Sequence, residues 1–456
     1  MDELKDIRSV FFLGIGGIGM SALAEYFFKR GVKVNGYDRV ETPLTQQLAF
    51  KGVQISYEDK VQSEYNPDLI IYTPAIRSTS HLMQHFANSG IKMMKRSEVL
   101  GLISSSEKTI AIAGTHGKTT TTAMVSHILY YSGIEVTGFV GGIMSNYDSN
   151  YIDSGSEYIV AEADEFDRSF LTLTPAISAV LSMDADHLDI YGGSEEVTIG
   201  FKDFINKTKK GGTVYLHRSV IKNFTSNEWE VVQEKYKCLT FGDKDSDIFA
   251  SNILPQKDGS VTFDLNYKTR LYTGLQLSMP GNHNVSNATV AMAIALEIGI
   301  PIEKVTVALA AFKGIKRRFE YVVQNKLNTY IDDYAHHPEE LRNAIATAKD
   351  LFQGKEIYGI FQPHLFSRTR DFADGFAREL DQLDYPILME IYPARELPIE
   401  NVNSQMILDR MTNPNKQIMS FKEILEFVNK NKPEVLMTLG AGDIDTIVPK
   451  IKIILS

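Results

Sequence analysis

Along the chain, short apolar runs alternate with longer stretches in which apolar positions recur every three or four residues, and this alternation starts afresh three times. Ser9 to Leu13 has the length and composition of a buried strand, the glycines at positions 14 to 19 make a turn, and Met20 to Arg30 carries apolar residues at helical spacing. Val32 to Tyr37 and Leu69 to Tyr72 read as strands, Ser80 to Asn88 as a helix, and Lys92 to Ser97 leads into another helical stretch. The small polar residues Ser104 to Lys108 read as a linker. A second cycle opens with strand Thr109 to Ala113, a glycine-rich turn and a helix from Thr120 to Tyr131, and continues through strands near 157–162 and 176–182. From Tyr236 to Leu277 apolar and polar residues alternate around Asp-Gly and Asn-Tyr turn signals, which predicts a small antiparallel patch, and helical periodicity returns after Asn284. The third cycle starts at Leu327, with strands at Tyr330 to Ile331, Ile357 to Phe361, Pro386 to Met389 and Val435 to Thr438, and a helix from Glu339.

This pattern predicts an α/β protein of three domains: an N-terminal Rossmann-like domain at 1–106, a central P-loop ATPase-type domain with a parallel sheet at 107–322, and a C-terminal Rossmann-like domain at 323–456. The length of 456 residues agrees, because a single core usually stops growing at about 250 to 300 residues. Composition changes little in that picture, but it excludes several classes. A net charge of -10 with dispersed basic residues is not the footprint of a nucleic-acid binder, so an anionic substrate must be met by local sites. Cys238 is the only cysteine, which rules out an intrachain disulfide or a cysteine metal cluster and reads as a small buried hydrophobe. The charged start of the chain lacks a signal-peptide pattern, and no apolar run is long enough for a membrane span, so a cytoplasmic protein without membrane contact is expected. A monomer or weak homodimer is the expected state.

The strongest local signal is Gly114-Thr115-His116-Gly117-Lys118-Thr119-Thr120, between a strand and a helix. Backbone amides there would meet phosphate oxygens, Gly117 would let the main chain approach, Lys118 would neutralise the β and γ phosphates of ATP, and Thr119 would ligate magnesium or manganese. Ile112 stands where the general pattern has its first glycine. Gly14-Ile15-Gly16-Gly17-Ile18-Gly19, followed by Asp38, fits a dinucleotide-binding turn, and three readings stay open: NAD, another diphosphate-bearing ligand, or close packing. Glu162 to Asp167 gathers carboxylates at a strand end and suits a magnesium ion, although a solvated acidic turn would look similar. Asp186-His187 follows the next strand, where His187 could be a second ligand. His283 and Asn287 open an apolar helix and read as base or ribose contacts, since capping explains one Asn in that segment but not three. Asp333 and His336 follow the first strand of the third cycle, and His364 with Arg368 follows another; of the neighbours His336 and His337, one should face a site.

Taken in order over the whole chain, these motifs closely resemble the Mur ligases of peptidoglycan precursor synthesis. Within that family, Gly14 to Ser21, Phe361 to His364, Tyr392 to Ala394 and Gly440 to Ile444 look like the member that joins L-alanine to UDP-N-acetylmuramate. The resemblance implies that ATP phosphorylates the lactyl carboxylate of the sugar nucleotide and that the amine of alanine attacks the acyl phosphate. It also implies roles. Lys118 and a metal on Thr119, Glu162 and His187 would screen charge, with Arg318 extending that screening. Asp333 would contact ribose or phosphate, and His283 and Asn287 would place adenine. His336, His364 and Arg368 would orient the alanine carboxylate and the acyl phosphate, while Gly14, Gly16, Gly17, Ile18, Gly19 and Asp38 would hold the UDP diphosphate. Leu365 departs from several relatives, which carry arginine there, and places more weight on Arg368. Lys202 lies roughly where some relatives carry a carbamylated lysine. A relative that attaches a whole tripeptide to the same sugar nucleotide is the runner-up; an NAD-dependent oxidoreductase and a silent nucleotide-binding regulator are readings from other classes.

Overall fold

The computed structural model describes residues 2–61, 65–184, 194–256, 258–394 and 396–456. Three sheets follow the three cycles. The first holds β1 (Ser9–Leu13), β2 (Lys33–Tyr37), β3 (Gln54–Ser56), β4 (Leu69–Tyr72) and β5 (Met93–Lys95), paired parallel in the order β3-β2-β1-β4-β5. Strand order reverses at β1, where the connections leave on opposite faces and open a crevice at the carboxyl ends of the strands.

The second sheet contains β6 (Lys108–Ala113), β7 (Val136–Met144), β8 (Ser149–Asp153), β9 (Tyr158–Ala163), β10 (Ile177–Val180), β11 (Thr213–His217), β12 (Lys237–Gly242), β13 (Ile248–Pro255), β14 (Val261–Tyr267) and β15 (Arg270–Leu277). Its order is β15-β14-β13-β12-β11-β10-β6-β9-β7-β8. β6 lies between parallel neighbours β10 and β9, so the loops after all three strands emerge on one edge. The patch expected from Tyr236 onward begins instead with parallel pairs, β11 to β12 and β12 to β13. Alternation reports a half-buried face and is blind to the direction of the neighbouring strand. The third sheet, β16 (Glu320–Gln324), β17 (Thr329–Asp333), β18 (Ile357–Phe361), β19 (Tyr385–Leu388), β20 (Gln417–Ile418) and β21 (Val435–Leu439), is ordered β16-β17-β21-β18-β19-β20, with only β16 antiparallel to its neighbour.

The linker expected at Ser104 to Lys108 does not exist. Helix Arg96–Ser106 runs through the serines and β6 starts at Lys108. Each serine hydroxyl donates to the carbonyl three residues back, and buried Ser104 also accepts from the Thr174 N–H while its carbonyl takes the Thr109 hydroxyl. Serines that favour loops by propensity here close a helix by bonding back onto it.

Two compact units result: 1–253 with 263–277 and 284–313, and 254–262 with 278–283 and 314–456. In the first, one apolar cluster runs from Val10, Phe12 and Phe27 through Phe139 and Phe170 to Val214 and Tyr236, joining the first two sheets into one core. Each such large side chain, once buried, contributes roughly 1.5–3 kcal/mol. Helix Ile18–Lys29 packs on β7 and β8, and Arg30 at its end pairs with Asp153 at 3.1 Å while stacking on Tyr26 at 3.7 Å. In the second unit, apolar clusters around Phe361 and Phe376 and around Tyr330 and Ile451 cover the two faces of the third sheet. Cys238 is half-buried on β12, its thiol directed at the Val232 carbonyl. Among the described residues, no helix is long and apolar enough to cross a membrane.

Candidate active site

The first glycine turn hangs from β1. Gly14 sits at φ +86°, and the N–H groups of Gly14 and Ile15 both donate to the Tyr37 carbonyl at 2.8 and 3.0 Å, which folds the turn against the end of β2. Asp38 Oδ2 accepts the Gly16 N–H at 2.8 Å, and a Cβ on Gly16 would meet that carboxylate oxygen at 2.9 Å. Asp38 therefore braces the turn. Helix Ile18–Lys29 starts behind Gly17 without a side-chain cap hydrogen bond. A Cβ on Gly19 would overlap Nη1 of Arg96.

The second glycine turn, after β6, has the same plan with different contents. Gly114 is at φ +140° and Gly117 at φ +79°, a left-handed N-cap to helix Lys118–Tyr131 that again lacks a side-chain cap. Lys118 folds back into the loop: Nζ donates to the Gly114 carbonyl at 2.7 Å and pairs with Glu165 Oε1 at 2.8 Å. Burial works against its charge, but Glu165, Asp164 and Glu162 outweigh burial and hold Lys118 above the ordinary lysine value. Thr119 Oγ1 donates to Glu162 Oε1 at 3.1 Å, and the other oxygen of Glu162 takes the Gly141 N–H at 3.0 Å. Glu162 reaches the loop because β9 pairs with β6 in a register that sets it beside Ile112. Thr115 bonds Ser182 at 2.7 Å and Asp184 at 3.3 Å, His116 donates its N–H to Ser182, and its ring lies 3.9 Å from Asp184. Thr120 is buried. Asn287, at the start of its helix, faces the loop: its Oδ1 lies 2.6 Å from where a Cβ on Gly117 would be. His187 lies outside the described residues.

The second unit brings its polar residues together at the carboxyl ends of β17, β18 and β21. Asp333 accepts N–H groups of Phe319 at 2.7 Å and Ala335 at 2.8 Å; burial pushes its carboxyl up to about 6 against the opposing pull of Arg318. Arg317 and Phe319 are both left-handed, at φ +61° and +49°, and the strained bend turns Arg318 toward Glu340 at 3.5 Å and over the Tyr334 ring. Burial pushes His336 down to about 4, with Glu340 opposing and Arg368 and Arg318 assisting. Its Nδ1 lies 2.9 Å from the Tyr334 carbonyl, which can only accept, so Nδ1 carries the proton and the neutral ring keeps its lone pair on Nε2. His337 turns away, packs on Phe372 and accepts from the Glu339 N–H as a helix cap. His364 stands 6.1 Å from His336 between ring centroids and stacks on Tyr392, ahead of Leu365 at φ +70°. Arg368 occupies the first turn of the next helix, half-buried. His283 belongs to this unit, its ring folded against Gly281.

Three family descriptions tile the chain: Mur ligase family, catalytic domain, at residues 9–108; Mur ligase middle domain at 112–295; and Mur ligase, glutamate ligase domain, at 317–442. The UDP-N-acetylmuramate--L-alanine ligase of Flavobacterium johnsoniae is 43% identical over 99% of this chain and 98% of its own. The chain belongs to the Mur ligase family. A second relative of that description, from Porphyromonas gingivalis, is 42% identical over 98% of each chain. Among solved structures, UDP-N-acetylmuramate-alanine ligase MurC from Thermotoga maritima superposes with a TM-score of 0.81 at 28% identity, covering 98% of both chains. A murein peptide ligase from Psychrobacter arcticus, at 0.70 and 24%, shares the fold.

Several contacts that shape this Mur ligase's site are not assigned by the sequence motifs. Glu165, 1% exposed, is the counter-ion of Lys118, hidden among the acids of its segment. Ser182 and Asp184 brace the phosphate loop from the end of β10, a position that strand-end logic points to. Gln362 bridges two motifs that sequence reads separately, donating to Asp443 and accepting from the Ile444 N–H. Lys202 is paired with Glu228 at 2.9 Å, so its charge supports the neighbouring helix start.

Proposed function

We propose that this Mur ligase uses ATP to join L-alanine to the lactyl carboxylate of UDP-N-acetylmuramate, releasing ADP and phosphate, in peptidoglycan precursor synthesis. One observation carries the reading: end-to-end likeness to relatives that bear this activity in their names, at 43% identity, in a chain whose phosphate loop, Lys118 and Thr119–Glu162 pair are intact. Residues 1–106 take the sugar nucleotide, 107–322 take ATP and 323–456 contact the amino acid. The reaction is cytoplasmic in this reading.

A carboxylate is a poor electrophile, and its charge repels the γ phosphate. The loop amides and Lys118 lower that repulsion and accept the charge that develops as the carboxylate oxygen attacks and ADP departs. Thr119 and Glu162 present a hydroxyl and a carboxylate 3.1 Å apart at the mouth of the loop, an all-oxygen donor pair that fits magnesium or, in its place, manganese. His187 would complete the set. Such an ion, when bound, neutralises phosphate charge as a Lewis acid. The amine of alanine then attacks the acyl carbon, the bond to the phosphate oxygen breaks, and the amine's proton goes to a base. Neutral His336, with its lone pair on Nε2, has the right protonation for that base. Arg368 and His364 are the candidates to hold the alanine carboxylate, and Arg318 and Asp333 to contact phosphate and ribose.

The test is ADP release with magnesium-ATP and UDP-N-acetylmuramate, adding L-alanine, glycine, L-serine or the wall tripeptide separately. Release that depends on L-alanine is expected. Release only with the tripeptide would replace this reading with the recycling ligase, and silence throughout would overturn both.

A further inference from the structure

One guanidinium touches both halves of the first unit. Arg96 opens helix Arg96–Ser106 after β5, with Nη1 against Gly19 in the first turn of the glycine-turn helix and Nη2 3.7 Å from Asp164 Oδ2. Asp164 holds the turn that follows β9: its Oδ1 accepts the Phe166 N–H at 3.1 Å and its carbonyl accepts the Phe170 N–H at 3.0 Å. That turn aims Glu165 at Lys118 and contains two consecutive left-handed residues, Asp167 at φ +52° and Arg168 at φ +53°. Lys95 adds a second tie, 3.5 Å from Asp167. A continuous path therefore runs from Gly19 through Arg96, Asp164 and Glu165 to Lys118.

We propose that Arg96 binds the diphosphate of the sugar nucleotide and, as it leaves Asp164, loosens the Glu165 turn so that Lys118 is released toward the γ phosphate of ATP. The proposal rests on the reading that this diphosphate occupies the glycine turn. An anion at the start of helix Ile18–Lys29 lies beside Nη1, and a dianionic diphosphate outcompetes one half-exposed carboxylate for the guanidinium. Without its cation, Asp164 holds less firmly a turn whose two left-handed residues favour rearrangement. Acceptor and nucleotide are then positively coupled, and each tightens the other by the same factor.

The experiment measures calorimetric binding of a non-hydrolysable ATP analogue with magnesium to the full chain, with and without saturating UDP-N-acetylmuramate. In the unmodified protein the sugar nucleotide is expected to tighten the analogue about tenfold. Arg96→Met should weaken UDP-N-acetylmuramate and bring the coupling to about unity, with Arg96→Lys recovering part of both. Asp164→Asn, which removes the competing carboxylate, should tighten the sugar nucleotide severalfold and lose the coupling, a separation that a merely structural ion pair would not produce. Full coupling in Arg96→Met or Asp164→Asn, with circular dichroism showing both folded, overturns the proposal. Binding of UDP-N-acetylmuramate without any coupling in the unmodified protein overturns it as well and leaves the functional reading standing. No binding of UDP-N-acetylmuramate removes that reading and the proposal together.

Discussion

The two glycine turns of the first unit are the same backbone device with opposite arrangements of charge. Both follow a central parallel strand, both begin with a left-handed glycine, and both lead into a helix whose N-terminus has no side-chain cap. At the phosphate loop the cation is part of the loop: Lys118 is the first residue of the helix and is held inside by Glu165. At the first turn the loop contributes no cation; Asp38 braces its main chain, and the guanidinium beside Gly19, that of Arg96, comes from another helix. A ligand whose charge changes during reaction needs a cation fixed within bonding reach. A ligand that only has to be held can use backbone amides and a borrowed guanidinium.

The sharpest test of that contrast is Lys118→Met, expected to lower kcat about a thousandfold in a steady-state ADP-release assay. The same change strands buried Glu165 and should cost about 3 kcal/mol in urea unfolding, which Lys118→Met with Glu165→Gln should largely restore without restoring turnover. Recovery of turnover in the double variant would remove the lysine from the chemistry. Charge can also be probed by acid. His336 is pushed down to about 4 from an ordinary 6.5, so below pH 6.5 the unfolded chain takes up the proton first. Its contribution to stability, up to about 3 kcal/mol, is complete above that pH and is lost as pH falls toward 4. Denaturant melts between pH 7.5 and 4.5 should therefore fall less steeply for His336→Asn, and parallel curves would mean that the folded ring titrates normally. Thr119→Ala should raise the magnesium concentration needed for half-maximal rate about tenfold, and an unchanged metal titration would sever Thr119 from the ion. The smallest effects separate the two turns directly. A Cβ on Gly117 meets Asn287 and one on Gly16 meets Asp38. Gly117→Ala should raise KM for ATP severalfold and Gly16→Ala that for UDP-N-acetylmuramate; if either alters both constants equally, the division of labour fails.

How much was legible beforehand varies with what each feature depends on. Strands Leu69–Tyr72 and Ile357–Phe361 fall where the apolar runs end, because a buried parallel strand needs unbroken apolar residues between turn signals. β7 and β8 were not expected: β7 carries glycines through its length, and its place rests on the Tyr151–Phe139 packing against Tyr26 rather than on its own propensity. Lys118, Thr119 and Glu162 were readable as chemistry at strand ends. Glu165 was not separable from its acidic neighbours, since only its burial and its 2.8 Å approach to Lys118 Nζ in the folded chain distinguish it from them.

The sequence by itself determined the three α/β cycles, the two glycine turns and the chemical types gathered at the strand ends, because periodicity, turn residues and short motifs are local properties of a chain. Tertiary structure alone decided which acid pairs with Lys118, which arginine stands over Gly19, why His336 is neutral while Lys118 stays charged, and that the first two sheets share one core. Those outcomes depend on distances between residues far apart in the chain and on burial. Both are set only once strand register and helix packing have chosen which side chains meet and how much water remains around them.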